Sequence, residues 1–187
     1  MAQQFMTVVC VHARGRGFQN QAEARGESTS WGRTQVRNYE HDGEELVIMG
    51  DFNANPYHFE MCSRKGWYAV RDRVDLFDRR GRPKVTDPKR ERPRPLYNPM
   101  WLNLPEPTAE RPAFGTHHFN STDNHFPWCH YDQILISHGL VESARPLEIL
   151  TRLNGQRLVT ESCRTIGDVY SDHLPVELEI RKHVQRS

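Results

Sequence analysis

The fold is decided by the stretch VIMGDFN at residues 47–53, an apolar run that ends at Gly50 and is followed at once by a carboxylate and a carboxamide. Short apolar runs bounded by glycine and polar residues are typical of buried strands. In an extended chain, residues i and i+2 point to the same side, so Asp51 and Asn53 can face one site. Residues 46–49 are therefore predicted to form a strand that delivers two polar side chains.

Other apolar runs have a similar character. Residues 7–12 end at His12, and residues 133–137 directly follow Asp132. Residues 176–180, VELEI, alternate like a strand with one buried face, and residues 145–150 are a weaker strand candidate. Residues 18–40 are the best candidate for a helix or mixed crossover, although glycine and serine weaken it. The pattern predicts an α+β domain.

Bulk composition narrows the class of protein. The 187 residues suit a single domain spanning 1–187, and 25 Lys and Arg against 24 Asp and Glu mean that total charge does not indicate a polyanion partner. The four cysteines form no CxxC pair, and Cys10 lies in an apolar run where a buried thiol is expected. We therefore expect a cytoplasmic protein. No stretch approaches the roughly 18 apolar residues of a membrane span.

Residues 79–112 are rich in proline and arginine, with eight basic and three acidic residues between positions 78 and 94. Because proline removes hydrogen-bond donors and fixes φ, an extended surface insertion is predicted. Two interpretations stay open. Arg79, Arg80 and Arg82 could bind the backbone phosphates of a nucleic acid, or the segment could be a solvated loop with no ligand.

Polar residues cluster where the predicted strands end. SDHLP at 171–175 places Asp172 beside His173, just before the last alternating strand. Singly, such residues have ordinary explanations as turn formers, caps or half-buried histidines. Together they suit the attack of water on a phosphodiester, since hard oxygen ligands hold Mg²⁺ or Mn²⁺ and an imidazole exchanges protons near neutral pH. The candidate set is His12, Asp51, Asn53, Asp132, Asp172 and His173.

The ordered motifs VH at 11–12, GDFN at 50–53, YDQI at 131–134 and SDHLP at 171–175 resemble the endonuclease/exonuclease/phosphatase superfamily. The match spans residues 7–180. The resemblance implies a deoxyribonuclease-like α+β fold, a four-layer α/β/β/α sandwich with mixed and mostly antiparallel sheets. It also implies a phosphodiester hydrolase with Mg²⁺ or Mn²⁺ as cofactor.

The resemblance assigns a role to each motif residue. Asp51 takes part in proton transfer, and Asn53 hydrogen-bonds the scissile phosphate. Asp172 is a metal ligand together with Asp51, and His173 is a general base or a phosphate-contacting imidazole. Asp132 orients His173 and favours its protonated form. His12 is the second imidazole of the deoxyribonuclease branch.

Superfamily members ordinarily begin with a strand that ends in Asn, followed by a loop whose Glu is the principal metal ligand. Both precede the strand that corresponds to residues 7–12, so we expect the first half of the fold to be missing here and the isolated chain to have low activity. An apolar sheet face left in water would forfeit many kcal/mol, at about 25 cal/mol per Å². Self-association, or a complementing N-terminal half, is therefore expected.

The motifs do not name the substrate, because the superfamily cleaves nucleic acids, inositol phosphates and other phosphoesters. A nuclease is favoured, with DNA or RNA and endo or exo cleavage left open. The alternatives are a phosphatase or phosphodiesterase acting on a small molecule or lipid headgroup, and a non-catalytic binding or assembly lobe. A loop before Asp132 adds His125 and Trp128, which could stack on a base or sugar or pack as core aromatics. A dedicated zinc site among the histidines of that loop is the less favoured interpretation, because they lack i, i+4 spacing.

Overall fold

The structure is a computed structural model that describes residues 6–13, 26, 30, 34, 45–84, 93–104, 115–119, 128–161, 164–167 and 170–181. Its central feature is a five-stranded mixed sheet. The strands are β1 (Met6–His12), β2 (Glu45–Asp51), β3 (Ala69–Val70), β4 (Leu96–Tyr97) and β7 (Asp132–Ile136). They lie side by side in the order β1-β2-β7-β4-β3. The outer pairs β1·β2 and β3·β4 are parallel, whereas β7 runs antiparallel to both β2 and β4.

Shorter elements surround this sheet. A one-turn α-helix covers Phe59–Cys62, and 3₁₀ turns cover Arg73–Leu76, Pro99–Asn103 and His138–Leu140. The small antiparallel pairs join β5 (His117–His118) to β6 (Trp128–Cys129), β8 (Glu148–Ile149) to β11 (Val176–Glu177), and β9 (Arg152–Leu153) to β10 (Gln156–Arg157). Among the described residues, no helix is long and apolar enough to cross a membrane.

The sheet buries apolar side chains on both faces. Leu46 and Ile48 of β2 pack into one cluster with Phe52, whereas the alternate residue Val47 packs into a second cluster with Ile136. This follows from the two-residue period of a strand, which sends successive side chains to opposite faces. The central position of β2 explains why its sequence is a continuous apolar run rather than an alternating one.

The strand predictions at 7–12, 46–49 and 133–137 match β1, β2 and β7 within two residues at each end. The predicted strands at 145–150 and 176–180 are shortened to β8 and β11, which pair with each other. The helix or crossover predicted for 18–40 lies outside the described residues apart from positions 26, 30 and 34, each of which is helical.

The surface insertion predicted for 79–112 is wrong for residues 94–100. Leu96 and Tyr97 form β4 inside the main sheet, and the seven side chains from Arg94 to Met100 are buried. Proline at 93, 95 and 99 does not prevent this, because a two-residue strand needs few ladder hydrogen bonds. Residues 79–82 are exposed, as expected, and residues 85–92 and 105–112 lie outside the described residues.

Strand β1 lies at the edge of the sheet among the described residues, and one of its faces is open to solvent. Met6 is 53% and Val8 49% exposed, and Cys10 is exposed too. The expectation of a buried Cys10 thiol is therefore wrong, because Cys10 shares the solvent face of an edge strand with Val8. The opposite face, with Val9 and Val11, packs against the core.

Candidate active site

Strand register brings three of the predicted residues together where β1 and β2 end and β7 begins. The parallel pairing of β1 with β2 places His12 opposite Asp51, and the antiparallel pairing of β7 with β2 places Asp132 opposite Asp51 on the other side. The carboxyl ends of β1 and β2 and the amino end of β7 therefore coincide. Gly50 permits the close approach of β1, because its φ is 139° and an added Cβ would lie 2.0 Å from the carbonyl oxygen of Val11.

Asp51 and Asn53 form a compact turn after β2. The Asp51 carboxylate accepts the backbone N–H of Asn53 at 2.7 Å and the Asn53 side-chain amide at 3.0 Å. The same Asn53 amide nitrogen donates to the carbonyl of Ala13 at 2.7 Å, so it ties the end of β1 to the end of β2. Both amide hydrogens of Asn53 are engaged in these bonds. A donation from Asn53 to a substrate phosphate would therefore replace one of them.

His173 and Asp132 form a short hydrogen bond between their side chains. Nδ1 of His173 lies 2.7 Å from a carboxylate oxygen of Asp132, within the range of a charge-assisted hydrogen bond. This hydrogen bond raises the pKa of His173 above its ordinary value, against the opposing effect of burial. The segment that carries His173 is fixed by a backbone bond from Leu174 to Thr116, 2.7 Å long. The predicted partnership of these two side chains is therefore present in the geometry.

Asp51, Asp132 and His173 together form what we call the carboxylate centre, in which one ligand atom of each residue lies within 4.8 Å of the other two. Burial raises the pKa of Asp51, and the charge of Asp132 raises it further, while the Asn53 backbone bond lowers it. Two neighbouring carboxylates that repel each other fit a divalent cation, since a cation offsets their mutual repulsion. Asp51 and Asp132 are therefore the two carboxylates of this centre that could hold a divalent cation.

His12 lies at the margin of this centre. Its Nε2 is 3.8 Å from a carboxylate oxygen of Asp51, and its side chain is 83% exposed. The imidazole is therefore close enough to face a substrate bound over Asp51, while solvent surrounds most of the ring. Its predicted role as a second imidazole stays a prediction.

Asp172 belongs to a different group of side chains. It is 71% exposed, and it forms with His117 and His173 a second set of ligand atoms that lie within 4.8 Å of one another, which we call the histidine cluster. Among the described residues, Asp51 and Asp172 do not share a cluster, and His173 is the residue common to both. The sequence expectation that these two carboxylates hold one metal together stays a prediction.

His117 was not among the residues that the sequence predicted for the site. It lies in β5, forms a β-bridge with His173, and its ring centroid is 4.5 Å from that of His173. Burial, followed by the nearby His173, lowers the pKa of His117. The sequence signal was only the proximity of HH at 117–118 to the YDQI motif.

The predicted substrate-binding residues have separate locations. Arg82 pairs with Asp78 in an exposed turn, with its Nε and a terminal nitrogen 3.0 and 2.9 Å from one oxygen. Among the described residues, no contact joins this turn to the carboxylate centre. Trp128, in β6, is partly buried and packs against Leu158. Its ring also meets the ring of His118 edge-on. His125 lies outside the described residues.

A buried polar network that sequence reasoning missed holds the site in place. The fully buried Gln133 donates to the carbonyls of Ala54 and His130 at 2.6 and 2.9 Å and accepts from Asn98 at 2.7 Å. The backbone N–H of its neighbour Asp132 donates to the Thr116 hydroxyl oxygen at 3.1 Å. Buried polar groups must be paired, so this network fixes the turn after β2 relative to the start of β7.

Among known proteins, no family model and no curated protein matches the chain. The chain resembles endonuclease/exonuclease/phosphatase proteins. One is a solved protein of that family from Bacteroides thetaiotaomicron, with a TM-score of 0.45, 18% sequence identity, and coverage of 92% of this chain and 48% of that one. Another is a mannosyl-6-phosphatase of the same organism, with a TM-score of 0.44, 18% identity, and coverage of 95% and 51%. The chain therefore spans about half the length of these structures.

Proposed function

We propose that this chain carries the histidine–carboxylate centre of a divalent-metal-dependent phosphodiester hydrolase, and that the hydrolase is a nuclease. The observation that supports the proposal best is the convergence of Asp51, Asp132 and His173 where β2 ends and β7 begins, from segments far apart in the chain. Motif order predicted these residues, and their spatial grouping did not follow from local sequence.

The environments of His173 and Asp51 suit proton exchange during phosphoester hydrolysis. The bond to Asp132 raises the pKa of His173, so the ring holds a proton further into the neutral range and can donate it to a phosphate oxygen. Asp51 has a raised pKa as well in the metal-free chain, which makes its carboxylate a better proton acceptor there, and a cation bound at Asp51 would reduce this effect. A bound Mg²⁺ or Mn²⁺ at Asp51 and Asp132 would supply positive charge beside the phosphate.

A nucleic-acid substrate is supported by charge at one exposed place. Arg79 and Arg80 lie in the exposed turn at 78–82, where their side chains are accessible to a phosphate backbone. Backbone phosphates are bound by such cations without sequence specificity and with a strong dependence on salt. We propose this turn as an auxiliary contact that sets affinity and leaves the chemical step to the carboxylate centre.

We also propose that the sheet is one layer of the four-layer sandwich and that another polypeptide surface covers its open edge. The exposed apolar residues of β1, Met6 and Val8, support this proposal. Apolar side chains on an edge strand invite pairing with another chain unless they are protected. A second copy of the chain or a complementing half would provide such a cover.

The test is a hydrolysis assay on metal-loaded protein with matched variants. Plasmid DNA, single-stranded DNA and RNA are compared with a small phosphodiester and a phosphate monoester, in Mg²⁺ and then Mn²⁺. We expect diester cleavage that falls at least about 10²-fold in His173→Ala and Asp132→Asn, the loss typical of a removed acid–base group. The control is His138→Gln, because His138 follows the opposite end of β7.

Each outcome has one meaning. Diester cleavage that disappears in His173→Ala and persists in His138→Gln supports the proposal. Equal cleavage in His173→Ala and the parent protein refutes it. Cleavage of the monoester alone, unaffected by Arg79→Ala and Arg80→Ala, identifies a small-molecule phosphatase. A chain that cleaves none of the substrates, with no change at the His173 imidazole resonances when Mg²⁺ is added, is a non-catalytic lobe.

A further inference from the structure

The histidine cluster shares His173 with the carboxylate centre and adds two residues, His117 and Asp172, that the proposed function does not use. Its two imidazoles come from β5 and from the loop before β11, which are joined by the His117–His173 bridge. The ring centroids are 4.5 Å apart and the ring planes are inclined by 40°. A carboxylate oxygen of Asp172 lies 3.9 Å from Nδ1 of His117. One ligand atom of each residue lies within 4.8 Å of the other two, so donors of the types N, N and O meet at one place.

The hydrogen bonds of the two rings determine which nitrogens are available. Nδ1 of His117 lies 3.2 Å from the backbone oxygen of Asp172, and Nδ1 of His173 lies 2.7 Å from the Asp132 carboxylate. Both partners are acceptors only, so each neutral ring carries its hydrogen on Nδ1 and a lone pair on Nε2. Metal-bound histidines show this arrangement, because the other ring nitrogen donates to a carbonyl or carboxylate that orients the ring.

We propose that the histidine cluster binds a transition-metal cation of the Zn²⁺ class, with the imidazoles of His117 and His173 and the carboxylate of Asp172 as ligands. Two histidines and one carboxylate, with a further position for water, is a ligand set used by zinc. Imidazole nitrogen favours zinc, cobalt, nickel and copper, whereas Mg²⁺ favours oxygen ligands. This site is therefore selective for a different ion from the one that suits Asp51 and Asp132.

Burial and spacing allow the ion to enter. The side chain of His117 is 14% exposed and that of His173 25%, whereas Asp172 is 71% exposed. The two imidazoles are thus shielded from solvent, and the carboxylate faces it. Bonds of about 2.0–2.1 Å in a tetrahedral site require ligand atoms roughly 3.4 Å apart. Binding would therefore require the exposed Asp172 side chain to rotate and the rings to shift from the present separations of up to 4.8 Å.

The shared residue gives the site a consequence for activity, which rests on the proposed function. An ion in the histidine cluster occupies the lone pair of His173 that proton exchange requires. Zinc would therefore inhibit hydrolysis, while Mg²⁺ at the carboxylate centre would support it. Binding of the ion itself does not depend on any catalytic activity.

The experiment measures ion binding on the full chain without substrate. Zn²⁺ binding is followed by calorimetry, and Co²⁺, used as a spectroscopic substitute, by its visible absorption. The test variants are His117→Ala and the closer mimic His117→Gln, whose fold is checked by circular dichroism. The control is His118→Ala, because His118 is the next residue of β5, points to the other face and packs edge-on to Trp128.

We expect His117→Ala and His117→Gln to bind Zn²⁺ at least about tenfold more weakly, since even an outer-shell partner of a metal ligand is worth 10–100-fold. His118→Ala should bind within about twofold of the parent chain, because it removes a histidine that is not a ligand. Asp172→Asn should weaken binding as His117→Gln does.

Two results would overturn the proposal. One is unchanged Zn²⁺ affinity in folded His117→Gln. The other is a thiolate charge-transfer band in the Co²⁺ complex, which would place the ion at an exposed cysteine such as Cys10 or Cys62. Because no substrate is present, these results leave the hydrolase proposal untouched. If His117→Gln weakens Zn²⁺ binding but cleavage does not depend on His173, only the hydrolase proposal is refuted.

Discussion

Replacement of Asp132 by Asn should change how the stability of this chain depends on pH. The bond from His173 to Asp132, 2.7 Å long and partly buried, joins two groups that are charged when His173 is protonated. Hydrogen bonds to charged groups contribute about 1.5–3 kcal/mol, so we expect about 2 kcal/mol for this pair. At about 2–4 °C per kcal/mol for a chain of this size, that corresponds to roughly 4–8 °C in Tm.

The sign follows from the raised pKa of His173. Below the ordinary value of 6.5, folded and unfolded chains both hold the proton, and the full stabilisation is present. As the pH rises, the unfolded chain loses its proton first, and the stabilisation disappears as the pH passes through the raised pKa of the folded state. Asp132→Asn should therefore cost most in mildly acidic buffer and least in alkaline buffer.

The assay is a double-mutant cycle of Asp132→Asn and His173→Gln in metal-free buffer. Urea unfolding at about pH 5.5 and about pH 9 gives the coupling energy at each pH, and the repulsion between Asp132 and Asp51 cancels in the cycle. The NMR titration of His173, assigned with the His173→Gln variant, should move to lower pH in Asp132→Asn. A coupling energy that grows with pH, or an unchanged His173 titration, would refute the reasoning.

Three further predictions concern the framework of the site. Gln133→Leu removes the hydrogen bonds that Gln133 makes to two carbonyls and to Asn98. Urea unfolding should show that the free energy of unfolding falls by roughly 2–4 kcal/mol, because each buried unpaired group costs about 1–3 kcal/mol. A fall below about 0.5 kcal/mol would show that water replaces the network. Gly50→Ala places a methyl group 2.0 Å from the Val11 carbonyl oxygen and should lower Tm by more than about 8 °C, whereas Gly81→Ala, with open space around it, is the milder control. Val8→Lys should weaken any self-association through β1, as measured by sedimentation velocity. A parent chain that stays monomeric at all concentrations would refute the proposal that a second copy of the chain covers β1.

The sequence predicted those parts of the fold that depend on local pattern. Residues 46–49 form a buried strand because an apolar run of that length, ended by glycine, has few other stable environments. Motif order also predicted Asp51, Asp132 and His173 as a set, and the strand register places them together. Their roles in catalysis stay predictions.

The parts that the sequence did not predict depend on contacts between distant residues. Asn98 and Gln133 are 35 positions apart, and nothing local in either segment indicates that one amide pairs with the other. The short strand β4 was missed because prolines flank Leu96 and Tyr97, and its two residues become a strand only through pairing with β3 and β7. His117 lacked a helical metal-binding spacing, and its proximity to His173 arises from a bridge across 56 positions of chain.

The register that sets Asp51 directly opposite Asp132 has a consequence for protein engineering. Like charges at facing positions of an antiparallel pair destabilise the pairing of the two strands. Selection for heat resistance should therefore act first on this pair of residues. In a library screened only for survival at high temperature, substitutions to neutral residues should accumulate at position 51, whereas the bond to His173 should retain Asp132. The same library screened for phosphoester cleavage should keep both acids, and the difference at position 51 would identify Asp51 as maintained for chemistry at the expense of the fold.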